Sequence, residues 1–344
     1  MTNEMRAIEA DGFGLDRLAE VKKPVPQAGA GEILIRLKAA TLNYRDLSIL
    51  KGIYKPDLKA PFVPASDACG EVVAVAAGVT RFKVGDRVVP TYIQGWIDGA
   101  PTPEQRTMRT LGVPLSGVLQ DYIAVPAEDA VAAPASLTDI EAACLPIAAL
   151  TAWSTLQEGA VKPGDWILVQ GTGGVAIFAL QFAKLAGARV VVLSSSDEKL
   201  KRATILGADA TINYRATPDW GPAVKAATGG RGVDIVIETS GALSQSLSAA
   251  AFGGFVGVIG FTGGFRAEID VRQLIGPMVR VQGIAVGSRN SFEAMNRAIE
   301  RHRLKPVVEA VYPLAQTAEA FALMDRGGQF GKIGISLAAP AVKY

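Results

Sequence analysis

Residues 166–194, WILVQGTGGVAIFALQFAKLAGARVVVLS, decide how the chain is built. The apolar strand WILVQ runs straight into Gly171, Gly173 and Gly174, and VAIFALQFAKLA then carries apolar residues at helical spacing. A second Val-rich strand, ARVVVLS, follows. Gly171 permits the tight turn after the first strand. Gly173 leaves the backbone open, so that a pyrophosphate can approach a helix N-terminus where N–H donors and the positive dipole end converge. The usual third glycine is Ala176, which the fingerprint tolerates because that position serves close helix–strand packing. Glycine spacing alone would be a weak signal, equally suited to a structural turn. With a strand before, a helix after and a second strand beyond, it reads as a dinucleotide-binding βαβ unit.

The end of the second strand selects between dinucleotides. An Asp or Glu there would hold a ribose 2′-OH and mark an NAD site. This strand ends VVLSSSDEK, with Ser194 at that place, so that Ser194, Ser195 and Lys199 can instead surround a 2′-phosphate. The same serines also read as a helix cap with Asp197 as an ordinary first-turn acid. The residues favour NADP(H) over NAD(H).

Downstream, DEKLKRATILGA has helical periodicity, and ATINY, VDIVIE and FVGVIGF are short buried strands. The helix SFEAMNRAIERH, the strand VVEAVYPL, a further helix and GKIGISL close the chain. Continuous Val/Ile strands between amphipathic helices imply a parallel sheet covered on both faces. Upstream the pattern differs. Residues 32–38 (EILIRLK) alternate apolar and polar, and CGEVVAVAAGVTRFKVGDRVVP repeats that pattern, with Gly78 and Gly85–Asp86 as punctuation. A small closed β-domain is expected there. Residues 95–117 read as an irregular loop, in which Trp96 can either pack or touch substrate. The character changes near residue 128, and 143–150 and 151–158 read as helical.

Composition narrows the chemistry. The 344 residues carry 35 Lys plus Arg against 33 Asp plus Glu, so no basic surface points to nucleic acid or a membrane face. No apolar run approaches the ~18 residues needed to span a bilayer, and MTNEMRAIEADGFG has no apolar leader core. The single histidine, His302, falls in the basic helical stretch AIERHRLKP and reads as a solvated helical residue. Cys69 and Cys144 are too few and too far apart for a disulfide framework or thiolate cluster, so reduced thiols and a cytoplasmic location are expected.

The glycine turn 171–176, together with FKVGDRV, LNYRDL and the two-part layout, resembles the medium-chain dehydrogenase/reductase superfamily, in particular its zinc-independent, quinone oxidoreductase-like branch. The resemblance implies an α/β protein: a GroES-like β-domain from both chain ends (1–127 with 289–344) and a doubly wound Rossmann domain (128–288). The cofactor would lie in the cleft between them, and the molecule would be a homodimer formed through the Rossmann domains. Zinc-bearing relatives have a Cys before a Thr-Asp pair, a Gly-His-Glu motif and a further Cys. The corresponding positions here are Asn43, Ser66 (in Ala65–Ser66–Asp67) and a position near Ile147, and the structural zinc lobe is missing from 95–117. The resemblance therefore implies no metal.

In LNYRDLSILKGIY it places Asn43 and Tyr54 in the substrate pocket, although Asn43 can equally satisfy a buried turn and Tyr54 can be a half-buried aromatic. It gives the cofactor Thr151, Gly171, Thr172, Gly173, Gly174, Val175, Ser194, Ser195, Lys199, Tyr214 (in Ile212–Arg215) and Lys332, the last of which can also be a solvated charge between strand residues. With a nicotinamide supplying the hard chemistry and no Lewis acid to activate a simple ketone, quinones and α,β-unsaturated carbonyls suit the site, with Asn43 and Tyr54 as hydrogen-bond donors to the developing enolate. Two other readings stand beside this one: an alcohol dehydrogenase-like enzyme without zinc, and a non-catalytic NADPH-binding sensor.

Overall fold

The computed structural model describes residues 4–338. The chain first forms β1 (Glu4–Ala10), β2 (Leu18–Pro24), β3 (Glu32–Thr41), α1 (Tyr44–Leu50), β4 (Asp67–Val75), β5 (Arg87–Pro90), α2 (Pro103–Met108), β6 (Tyr122–Pro126), β7 (Ala130–Ala132) and α3 (Asp139–Ala143). A π-helical turn, Leu145–Ala149, leads into α4 (Leu150–Glu158), β8 (Trp166–Gln170), α5 (Gly174–Leu185), β9 (Arg189–Ser194), α6 (Asp197–Ile205), β10 (Ala210–Asn213) and α7 (Trp220–Ala227). Next come β11 (Val233–Glu238), α8 (Leu243–Ala249), β12 (Ala250–Val258), α9 (Arg272–Ile275) and β13 (Arg280–Gly283). The last elements are α10 (Arg289–His302), β14 (Val308–Pro313), α11 (Thr317–Asp325) and β15 (Lys332–Ser336).

Two compact units result, 1–147 with 287–344 and 148–286. The first three and last six residues of the expected first domain, 1–3 and 339–344, lie outside the described residues. In the first unit a seven-stranded sheet runs β14-β15-β3-β4-β5-β7, with β6 also on β3. The alternation read in residues 32–38 is realised in β3: Ile33, Ile35 and Leu37 turn into the core, while Arg36 stays outside. Residues 128–147, expected in the second domain, belong to this unit, because β7 pairs with β5 and α3 packs on β3 and β4. The sequence changes character some twenty residues before the chain changes units. The expected irregular loop 95–117 contains α2, started by a reciprocal cap between Thr102 and Gln105 with Pro103 at the first helical position. Trp96 packs there, 8 % exposed, and its Nε1 donates to Gly99 O at 2.8 Å.

The second unit is a parallel six-stranded sheet of order β10-β9-β8-β11-β12-β13, so the winding reverses between β8 and β11. Ile167, Leu168 and Val169 are buried, as a strand covered on both faces requires. Helix α5 buries Ile177, Phe178, Leu180 and Phe182 on the sheet, and Phe178 and Phe182 stack with centroids 5.9 Å apart. Burying one such phenylalanine stabilises the unit by roughly 1.5–3 kcal/mol. The helix ends where Gly187 takes φ +77°, a conformation that favours glycine. Among the described residues no helix is long and apolar enough to cross a membrane.

Candidate active site

The glycine turn joins β8 to α5. Gly171 adopts φ +79°, and a Cβ built at Gly171 or at Gly173 would meet no atom within 4 Å. The space over both residues is therefore open, at the N-terminus of a twelve-residue helix that Gly173 leaves without a side-chain cap. That cradle fits a pyrophosphate. Ala176, at the third position of the fingerprint, is buried against the sheet. Thr172 is buried and Val175 half-buried in the turn, while Thr151 is buried in α4 with its carbonyl accepting from Thr155 Oγ1 at 2.7 Å.

At the end of β9, Ser194 is buried and its Oγ accepts from Ser196 N at 3.3 Å, while Ser196 Oγ accepts from Lys199 N and caps α6. Ser194 thus serves the turn, and Ser195, Ser196 and Lys199 are the half-buried groups of this segment. Asp197, the first-turn acid of α6, accepts from Asn213 Nδ2 at 2.7 Å. Tyr214 is exposed and donates its N–H to Ser194 O at 3.1 Å.

In the first unit a buried polar network gathers segments distant in sequence. Asn43 caps α1 in a reciprocal box with Asp46. Its Nδ2 donates to Asp67 Oδ2 at 2.9 Å, and its Oδ1 accepts from the Lys332 ammonium at 2.6 Å. Lys332, 2 % exposed, also donates to Leu42 O at 2.8 Å and stands 3.6 Å from Asp67 Oδ2. The N–H of Ile147 donates to the same Asp67 oxygen at 3.3 Å, and Asp67 Oδ1 has no partner.

Arg45 closes the other side of this network. Its Nη1 donates to Ser66 Oγ (2.8 Å) and Leu111 O (3.2 Å), and its Nη2 donates to Val113 O (2.9 Å). Its guanidinium lies over the Tyr92 and Tyr54 rings, 4.9 and 5.5 Å from their centroids. Ser66 follows Ala65, a non-glycine residue at φ +66°, and its Oγ is 3.1 Å from Asp46 Oδ1. Such a backbone conformation is costly away from glycine and is retained where the surroundings fix it.

Burial pushes Asp67 up to about 6, against the opposing pull of Lys332 and the Asn43 amide. Burial likewise raises Asp46, with Arg45 opposing it most strongly. Both thiols, Cys69 and Cys144, are buried and pushed up to about 12, which makes them poor nucleophiles.

The structure therefore brings together Asn43, Ser66, Asp67 and Ile147, and adds three residues that sequence reading left out of this group: Arg45, Asp46 and Lys332. Lys332, assigned by resemblance to the cofactor, directs its ammonium at Leu42, Asn43 and Asp67 in the first unit. Tyr54 reaches the group through Arg45. A zinc site does not fit these residues. The positions corresponding to metal ligands hold a carboxamide, a hydroxyl and an isoleucine, and among the described residues no cluster of three His, Cys, Asp or Glu could hold a metal.

A family model described as "Alcohol dehydrogenase GroES-like domain" matches residues 29–135, and one described as "Zinc-binding dehydrogenase" matches residues 174–301. A zinc-type alcohol dehydrogenase-like protein of Schizosaccharomyces pombe is 42 % identical over 334 residues, covering 94 % of this chain and 96 % of that protein. A solved chain from Sinorhizobium meliloti 1021, classed with the alcohol dehydrogenases, superposes with TM-score 0.91 at 44 % identity over 98 % of this chain and 100 % of its own. A solved NAD-dependent alcohol dehydrogenase superposes with TM-score 0.88 at 33 % identity, covering 97 % of this chain and 100 % of its own.

Proposed function

The chain belongs to the medium-chain dehydrogenase/reductase superfamily, and from that membership we propose that it is a zinc-independent, NADP(H)-dependent oxidoreductase that reduces a quinone or an α,β-unsaturated carbonyl. The observation that carries this reading is the buried network around Asp67: Asn43, Ser66 and Ile147 offer no metal-ligand set. When bound, the nicotinamide supplies the hydride. The second unit holds the dinucleotide over Gly171–Gly174 with Ser195 and Lys199 at its adenosine end. Ser194, standing where an NAD site would carry an acid, and the neighbouring Ser195 and Lys199 support a phosphate there over a free ribose hydroxyl.

The first unit supplies the substrate's hydrogen-bond donors. An amide nitrogen carries two hydrogens, and Asn43 Nδ2 uses one on Asp67, which leaves the other for a substrate oxygen. Lys332 and Asp67 fix the plane of that amide. Tyr54, set against Arg45, is the second donor. Two fixed donors are enough for an acceptor that is already electrophilic, because they need only stabilise the negative charge that develops on oxygen.

The names of the relatives favour a second reading, alcohol–carbonyl interconversion. One assay separates the two. The purified protein is given NADPH or NADH with 1,4-benzoquinone, an enone and a simple ketone, and NADP⁺ with secondary alcohols, each with and without a chelator. The proposal expects NADPH oxidation with the quinone or enone, unchanged by chelation. Chelator-sensitive turnover of alcohols sinks it.

We also infer a homodimer through β13. This strand ends the six-stranded sheet, and Phe252, Ile275 and Met278 around it are 73, 74 and 66 % exposed, an apolar edge that a second copy would cover. The two buried, free thiols suit a reducing compartment such as the cytoplasm.

A further inference from the structure

In an open parallel sheet a ligand lies outside the C-terminal ends of the strands, at the crevice where the winding reverses. Here that crevice is between β8 and β11. The glycine turn follows β8, and the serine segment follows β9 on one side of it. The adenosine half of a dinucleotide therefore runs toward β9, and the nicotinamide half runs toward the loops that follow β11 and β12.

Glu238, the last residue of β11, is fully buried at this crevice. Its Oε1 accepts from Ser240 N at 2.8 Å and Gly241 N at 2.7 Å, and its Oε2 accepts from Gln170 Nε2 at 2.8 Å and from Ser246 Oγ. Ser240 Oγ lies within reach of both Glu238 Oε1 (3.0 Å) and Gln170 Oε1 (2.8 Å). No lysine or arginine is among these partners. Gln170, the residue before the glycine turn, further accepts Thr239 Oγ1 on its carbonyl at 3.0 Å and Thr239 N on Oε1 at 3.3 Å. On the far side, Thr262 N donates to Thr239 O at 3.3 Å and Gly263 N to Ser240 O at 2.7 Å. One carboxylate thus ties loop 239–241 to the strand that carries the glycine turn, and that loop in turn holds loop 259–264.

We propose that Glu238 is a positioning residue that fixes loop 239–241 and thereby the seat of the nicotinamide half of the bound dinucleotide. The assignment rests on the cofactor reading above and makes a distinct demand: the carboxylate matters to one end of the ligand only. Binding of NADPH and of 2′-phospho-ADP-ribose, which lacks the nicotinamide, is measured by calorimetry for the wild type and for Glu238→Gln. A glutamine keeps the size but brings an N–H₂ into a cluster of donors. The expected result is at least a tenfold rise in Kd for NADPH with the fragment's Kd within twofold of wild type. Equal losses for both ligands, as a general loosening of the unit would give, overturn the assignment, and so does an unchanged Kd for NADPH. If Glu238→Gln does not fold, Ser246→Ala removes a single donor from Oε2 and is held to the same selectivity, with a smaller shift. A wild type that prefers NADH is tested with NADH and ADP-ribose. A wild type that binds neither dinucleotide overturns the cofactor reading itself, and this assignment with it.

Discussion

Replacing Lys332 by Met probes the buried network directly. The ammonium is 2 % exposed, holds Leu42 O and Asn43 Oδ1, and faces Asp67 Oδ2 at 3.6 Å. Removing one partner of a buried ion pair costs roughly 3–5 kcal/mol when the other charge has no escape. Asp67 has one, because it can take up a proton. Its carboxyl is pushed up to about 6 by burial. Lys332, the Asn43 amide and the Ile147 N–H pull it down, and Asp46, itself 3.5 Å from Arg45, pushes it up.

The folded value lies above the unfolded value of about 3.9, so the native state binds more protons between about pH 4 and pH 6, and stability falls as pH rises through that window. The fall is about 3 kcal/mol for this group alone. Without Lys332 the carboxyl moves up further, and the decline continues above pH 6. The stability difference between wild type and Lys332→Met is therefore smallest near pH 5, where Asp67 is protonated in both, and grows toward pH 8. Denaturant unfolding at pH 5, 6.5 and 8 measures it. A second substitution, Asp67→Asn, removes the orphaned charge and should recover most of the loss at pH 8. A pH-independent difference, or a double variant no more stable than Lys332→Met at pH 8, refutes the ion-pair account.

Gly173→Ala should cost less than about 1 kcal/mol of stability, since its Cβ meets open space and its φ of −78° suits alanine. It should nevertheless weaken NADPH binding at least tenfold by placing a methyl where the pyrophosphate sits; fluorescence titration beside a thermal melt reads both. Tyr54→Phe removes one donor to the developing oxyanion, a loss of about 2.7–4 kcal/mol or 10²–10³ in turnover, with NADPH affinity unchanged. Wild-type kinetics in that variant would take Tyr54 out of the mechanism. Met278→Glu puts a charge on the exposed apolar edge beside β13, and sedimentation velocity should show the dimer giving way to monomer.

What the sequence disclosed tracks how local each feature is. The glycine turn lies within one strand–turn–helix–strand run, and periodicity with turn chemistry is enough to place it. The Asp67 network is assembled by contacts as far apart as 290 residues, between Lys332 and Leu42. No periodicity announces that a lysine in GKIGISL will be buried, and the resemblance sent it to the cofactor. Ser194 occupies the expected strand end, but its hydroxyl completes a turn, which only the position of Ser196 N reveals. In the sequence Glu238 is only the last letter of a buried strand; the five hydrogen bonds it accepts include one from Gln170, 68 residues earlier. The unit boundary follows the same logic: the sequence changes character near residue 128, but β7 and α3 beyond it pack on the sheet of the first unit.

The same network explains why the zinc-free reading does not depend on missing ligands alone. Asp46 and Asp67 are buried acids, and each would need a counter-charge if ionised. Asp67 faces Lys332, and Asp46 stands 3.5 Å from Arg45, so each acid already has its cation from within the chain. Arg45 also carries Ser66 and two loop carbonyls, and Lys332 carries the Asn43 amide, so neither base can leave without orphaning acceptors. A divalent cation added here would bring two positive charges to a group already balanced, with Asp67 Oδ1 as the one carboxylate oxygen not already engaged and the Asn43 carbonyl oxygen already held by Lys332. Two built-in cations thus weigh against a metal as strongly as the absent thiolates and imidazole do. They leave the donor chemistry of Asn43 and Tyr54 as what the first unit can offer a substrate oxygen.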